Sequence, residues 1–255
     1  MSALTEVTVA SIVFRDRKEA GRLLGERLRA GLRGPVVVLG IPRGGVPVAY
    51  EVARALGAPL DVVLAHKVGV PYQRELALGA VGEDGVRVRN PAVVEAAALS
   101  ECEVEAVEAP ARATLDEQVS RYRAVRAREP LEGRTAVVVD DGIATGATVR
   151  AACEVARAHG ASRVVAAVPV APPASAAALR DVAYDVVCLE QPEGLFAVAQ
   201  YYRDFAQVSD DTVSAMLQRS TAEGPAGCGR DGHRASGTFD ATVRAAGGRP
   251  PPSPS

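Results

Sequence analysis

The chain has no tryptophan, and only four phenylalanines and six tyrosines. Any place where rings gather therefore stands out. Its four cysteines, Cys102, Cys153, Cys188 and Cys228, are scattered without metal-ligand spacing. They read as small apolar residues of a reducing compartment, not as a zinc site or a disulfide framework. No apolar run is long enough to span a bilayer, and the opening segment does not read as a signal peptide. The expectation is a soluble, cytoplasmic protein. A net charge of -2 leaves no basic footprint for nucleic acid and no polybasic patch for a membrane. No Gly-x-Gly-x-x-Gly follows a strand-like run, which removes a dinucleotide-binding oxidoreductase. No Gly-x-Ser-x-Gly elbow is present, which removes the commonest hydrolase arrangement.

What is present is apolar and regularly spaced. Hydrophobic residues make up 48% of the chain, enough for a sizeable core. Apolar, β-branched runs begin near residues 36, 60, 137, 164 and 184, with helical stretches between them. This order predicts an α/β fold, an open parallel sheet flanked by helices. Leu23, Leu24 and Leu28 predict a helix to about Ala30, with Asp16 as its cap. Phe14 reads as a staple onto that helix or as a ring for stacking on substrate. Leu60 to Ala65 predicts a strand with His66 and Lys67 at its end, followed by a kinked polar segment from Gly69 to Glu75. Glu83-Asp84-Gly85 reads as a hairpin turn. A helical region runs from Asn90-Pro91 to about Arg128, and Pro110 is expected to break it in two. Its charges at Glu117, Arg121, Arg123 and Arg126 read as a solvated face. Phe196, Tyr201, Tyr202 and Phe205 form either a small satellite core or a hood that holds a ligand ring. Ser209 to Leu217 reads as a short capped helix. From Arg219 onward the composition turns to glycine, serine, proline and arginine and cannot bury a core. The expected organisation is one domain with a small hood over residues 11–218 and a disordered tail over 219–255. Cys228 and His233 in that tail read as incidental.

The chemistry concentrates in Thr135 to Thr148. Val137, Val138 and Val139 mark a strand buried on both faces. The strand ends on two adjacent carboxylates, Asp140 and Asp141. Gly142, Ile143, Ala144, Thr145, Gly146, Ala147 and Thr148 then lead into an alanine-rich helix to His159. Glycines turn backbone N–H groups inward, a helix start adds unpaired N–H groups, and the threonines add hydroxyls, so the loop is a cradle for phosphate. Two acids would repel a bare anion. They suit a ligand with phosphate at one end and neutral hydroxyls or a metal beside it, as in a ribose 5-phosphate. A second strand–loop–helix unit, Gly40-Ile-Pro-Arg-Gly-Gly-Val46, places Arg43 between Pro42 and Gly44-Gly45, where a guanidinium can reach an oxyanion.

Val137 to Thr148 resembles the phosphoribosyl-pyrophosphate signature of the type I phosphoribosyltransferases. The likeness extends over about residues 12 to 215. It is greatest to a little-characterised bacterial branch that shares Phe14 to Arg17, Gly40 to Gly45, Glu75 to Ala80 and Tyr202 to Phe205. The resemblance implies transfer of ribose 5-phosphate from phosphoribosyl pyrophosphate to a nitrogen of a small base, with release of pyrophosphate. It implies Asp140 and Asp141 on the ribose and on magnesium (Mg2+), mostly through ligand or water. Arg43 and Lys67 would act on the pyrophosphate beside Pro42, Gly44 and Gly45, with Arg74 as a helper. The loop from Gly142 to Thr148 would hold the 5-phosphate. A homodimer is expected, and no nucleic-acid or membrane partner. A non-catalytic, regulatory sensor of phosphoribosyl pyrophosphate is the alternative. Nothing in the sequence reads as a code for the base.

Overall fold

The computed structural model describes residues 13–223. Residues 1–10, which read from the sequence as a loose arm or a short edge strand, and nearly all of the predicted tail, Cys228 and His233 included, lie outside these residues. Five parallel strands form the main sheet: β1 (Val36–Gly40), β2 (Leu60–Val62), β6 (Thr135–Val139), β7 (Arg163–Val170) and β8 (Asp185–Glu190), in the order β2-β1-β6-β7-β8. The open α/β sheet is therefore as the apolar runs foretold. All five residues of β6 are buried. Val137 and Val139 face the core built with α1 (Arg17–Arg29), α2 (Gly45–Leu56), α4 (Glu101–Arg123) and α7 (Asp210–Glu223). Ala136 and Val138 face the opposite core, built with α5 (Ala147–Ala158) and α6 (Pro173–Ala178). Burial on both faces is why the strand shows no polar alternation. Cys153 is fully buried on α5, and burial pushes its thiol up to about 12, so it is inert packing.

The run from Leu60 to Ala65 is not one strand. The parallel strand stops at Val62, and Val63 N–H makes a last bond to Gly40 O at 3.1 Å. The chain then enters a separate antiparallel sheet of β3 (Ala65–Val70), β4 (Gln73–Gly82) and β5 (Arg87–Arg89). Lys67 therefore lies within β3, paired with Ala80, not at the tip of a parallel strand. The expected kinked segment is a turn at residues 71–72 between two strands. An apolar run carries no mark of where its hydrogen-bonding partner changes, so the sequence does not show this boundary. Glu83–Gly85 forms the short 3-10 turn between β4 and β5.

The long helical region breaks ten residues earlier than expected. Helix α3 (Pro91–Ala96) ends before Ala98, which has φ 51°, and α4 runs straight through Pro110. Ser100 explains the break. Its hydroxyl accepts from Glu103 N–H while the Glu103 carboxylate accepts from Ser100 N–H, a reciprocal cap. Proline costs a helix interior about 3 kcal/mol or more. Burial of Val104, Leu115 and Tyr122 along α4 offsets it. Helix α7 runs to Glu223, beyond residue 218. Among the described residues, no helix is long and apolar enough to cross a membrane.

Arg123 and Arg126 do not lie on a solvated face; their side chains are 16% and 9% exposed. Arg123 donates to Asp61 Oδ1 at 2.8 Å and, through Nε and Nη2, to both oxygens of Glu83 at 2.8 and 2.7 Å. Asp61, fully buried on β2, also accepts from Glu129 N–H. Burial pushes its carboxyl above the ordinary range, against the pull of Arg123. This one guanidinium ties α4, the main sheet and the antiparallel sheet together. Arg123→Ala leaves two buried carboxylates unpaired, and the expected loss is about 3–5 kcal/mol in urea unfolding. A loss below about 1 kcal/mol would mean the network is only a surface pair.

Candidate active site

The site lies beyond the carboxyl ends of β1 and β6, where open parallel sheets bind ligands. Past Val139 the chain turns, and Asp141 N–H donates to Asp140 Oδ1 at 2.9 Å. Both acids are half-buried, with side chains reaching a cavity of about 400 Å3 shared with Arg17, Arg43 and Gly44. The loop between β1 and α2 packs directly on them. A Cβ at Gly44 would collide with Asp141 Oδ2, and one at Gly45 would sit 2.5 Å from Val139 O and 2.8 Å from Asp140 Cα. At Gly45 the clash is with backbone, so glycine is required there, whereas a side chain at Gly44 would displace the Asp141 carboxylate. The Pro42–Arg43 peptide within that loop is cis.

Arg17 belongs to this site, and its role there was not foreseen from the sequence. Its Nε and Nη2 donate to Asp141 Oδ2 at 2.9 and 2.8 Å, and its Nη1 donates to Ala206 O at 2.8 Å. The guanidinium lies 3.8 Å over the ring of Phe205. Tyr202, 6% exposed, donates its hydroxyl to Asp141 O at 2.6 Å and stacks between Phe14 and Phe205 at 5.5 and 4.9 Å. Phe14 is fully buried against Ala20 and Tyr202, so it packs and does not meet a ligand. The satellite-core reading thus holds for Tyr202, whereas Phe196 stands 90% exposed apart from the cluster. The two motifs at Phe14–Arg17 and Tyr202–Phe205 meet here. Their pairing in space is the signal that could have led to Arg17.

The loop after the acids is held from below. Ile143, 2% exposed, donates its N–H to Val170 O at 2.8 Å, and Ser175 Oγ donates to Ala144 O at 2.7 Å. Gly146, with φ 81°, turns the chain into α5 in a left-handed conformation that suits glycine. Among the described residues no side chain caps α5, and the first N–H groups of a helix have no partner within it. Thr145 and Thr148 are exposed beside them. Lys67 is brought to this loop. With Thr145, Gly146 and Ala147 it lines a second cavity of about 480 Å3, whose lining includes Leu76 and Val88. His66 Nε2 pairs with Gln118 Oε1 at 3.0 Å, a bridge from β3 to α4. The helper reading of Arg74 falls on a side chain outside the described ones.

The acids define the electrostatics. Burial first, and the neighbouring Asp141 carboxylate second, raise the Asp140 carboxyl well above the ordinary range. Burial also raises Asp141, opposed by the hydrogen bond and charge of Arg17. Burial, followed by the charge of Asp141, pushes the Tyr202 phenol up. Among the described residues no group of three or more His, Cys, Asp or Glu side chains is gathered for a metal. The pair by itself is a two-carboxylate site that favours a positive neighbour.

Fold and site together define an open parallel α/β protein with an acid pair and an amide-lined loop at its strand ends. Residues 15–205 match the family model of the phosphoribosyl transferase domain, and the chain belongs to that family. It is similar to two provisionally named phosphoribosyl transferases of Mycobacterium tuberculosis, MT0597 of strain CDC 1551 and Rv0571c of strain H37Rv. Each is 55% identical over 208 residues, covering 82% of this chain and 47% of the relative. The chain thus spans about half the length of these curated relatives. It is also similar to the crystal structure of TT1426 from Thermus thermophilus, at 47% identity and a TM-score of 0.77, over 82% of this chain and 99% of that one.

The raised Asp140 carboxyl has a consequence for stability. Between the ordinary carboxylate pKa, about 4, and its raised folded value, the folded chain binds more protons than the unfolded one. The stability contributed by the protonated form is full below about pH 4 and is lost as pH rises through the raised value. Asp140→Asn keeps the hydrogen bond to Asp141 N–H and removes the charge. It should melt higher than the parent at pH 7, by roughly 2–4 °C for each kcal/mol relieved, with the gap closing toward pH 4. An equal or lower melting point at pH 7 would contradict this electrostatic description.

Proposed function

We propose that the chain transfers ribose 5-phosphate from phosphoribosyl pyrophosphate to a nitrogen of a small base, releasing pyrophosphate. Membership of the family supports the class. The observation that carries the finer reading is the acid pair at the tip of β6, open to one cavity with Arg43 and continuous along the chain with the loop into α5. In this reading the 5-phosphate rests on the amides from Gly142 to Thr148, and the two ring hydroxyls donate to Asp140 and Asp141.

Breaking the bond at the anomeric carbon leaves positive charge on the sugar and negative charge on pyrophosphate. The protein's work is to hold the donor in line and to stabilise that separation. Asp140 and Asp141 orient the ribose and favour the positive ring. Arg17 fixes Asp141 through one oxygen, Oδ2, which leaves Oδ1 for a hydroxyl. Arg43 and Lys67 face the phosphate groups from the two cavities. The acid pair fits Mg2+ as a neighbour: Asp140 and Asp141 would hold it, mostly through ligand or water, and it would neutralise charge on the leaving group. A homodimer accompanies this reading as an expectation from the resemblance, and a cytoplasmic location as one from the sequence composition. The sensor alternative draws on Arg17, whose guanidinium already occupies half of Asp141. Product formation with any member of a nucleobase panel decides between them, since a sensor binds the donor and makes none.

Changing Asp140→Asn together with Asp141→Asn is expected to abolish donor binding in calorimetry while the fold persists. Unchanged affinity would remove the acids from the site. Arg43→Ala is expected to weaken pyrophosphate by about tenfold or more and ribose 5-phosphate far less. Equal losses for the two ligands would take Arg43 out of that role.

A further inference from the structure

A third cavity, of about 460 Å3, opens on the far side of Arg43. Its other wall is α4, which presents Thr114, Glu117, Gln118 and Arg121. Arg43 lines both this cavity and the one that holds the acid pair. Arg121, 56% exposed as the solvated-face reading expects, reaches the same point as Arg43. Its Nη1 lies 2.6 Å from Asp210 Oδ2, and Arg43 Nη1 lies 3.7 Å from that same oxygen. The other carboxylate oxygen, Oδ1, accepts from the hydroxyl of the buried Tyr122 at 2.5 Å. Two guanidinium groups thus converge on one anionic oxygen carried by the start of α7.

We propose that this cavity receives the pyrophosphate, with Arg121 as a second cation beside Arg43, and that Asp210 is an internal carboxylate standing in the anion's place. The proposal rests on the donor reading above. A carboxylate oxygen and a phosphate oxygen make the same kind of charge-assisted bond to a guanidinium. The donors that now hold Asp210 are therefore the donors that an incoming phosphate needs. The arginine side chains are 45% and 56% exposed, and exposed pairs of this kind are weak and readily exchanged. Tyr122 keeps hold of Oδ1 while Oδ2 gives up its partners. Glu117 is the remaining charge in the cavity; it is exposed, where solvent screens it.

The competition gives two variants opposite signs. Arg121→Gln removes a donor and should weaken inorganic pyrophosphate, with Mg2+ present, by about tenfold in calorimetry, leaving ribose 5-phosphate unchanged. Asp210→Asn removes the competitor. Its amide oxygen can still accept from Tyr122, which turns the amide nitrogen toward the arginines, where it cannot accept. Pyrophosphate should then bind several-fold tighter, about threefold or more. A merely structural Asp210 would not tighten binding when changed. If the parent protein binds phosphoribosyl pyrophosphate and both variants bind pyrophosphate as the parent does, the cavity assignment is overturned and the function stands. If the parent binds neither ligand, the function itself is overturned, and this assignment with it.

Discussion

Two like charges forced together at the end of a buried strand are the constraint around which the site is arranged. Asp140 and Asp141 follow a strand that cannot move, because all five of its residues are packed on both faces. The glycine pair of the neighbouring loop packs directly on them. Arg17 offsets part of the charge of Asp141, and no side chain outside the pair bonds the carboxylate of Asp140 among the described contacts. The arrangement is costly for folding and useful for binding. A site that already favours a cation and hydroxyl donors needs little rearrangement when a sugar phosphate arrives.

The bracing comes from distant segments. Helix α1 brings Arg17, and the stretch after β8 brings Tyr202, Phe205 and the carbonyl of Ala206. These two ends of the domain are locked to each other, as Phe14 N–H bonds Tyr201 O and Arg203 N–H bonds Phe14 O. The scarce aromatic residues are used here as a wedge that fixes the site from its rim. On the other flank, α4 carries Gln118 to His66, Arg121 to Asp210, and Arg123 to Asp61 and Glu83. A single helix thereby links the main sheet, the antiparallel sheet and α7.

How much of this was legible depends on how local each signal is. The strand–acid–glycine–helix order around Val137 to Thr148 is written in adjacent residues, and its reading needs only chain connectivity. So does the Arg43 loop. The parallel sheet followed from its β-branched runs. What escaped were features set by partners far away in the chain. Leu60 to Ala65 is apolar throughout, so nothing in it marks where β2 ends and the antiparallel sheet begins. Pro110 signals a break, but burial along α4 overrides it and the Ser100–Glu103 cap sets the boundary instead. Arg17, Arg121, Arg123 and Arg126 look alike in sequence as charges on helices. Long stems let arginine reach inward from the edge of a buried face, and only the fold decides which do.

The central claim is that the acid pair and the loop into α5 hold opposite ends of one sugar phosphate. The most direct test is a crystal structure of the protein with ribose 5-phosphate. The expected result is the phosphate on the amides between Gly142 and Thr148, with the vicinal hydroxyls on Asp140 and Asp141. A phosphate seated elsewhere, or a sugar turned away from the two carboxylates, would contradict it.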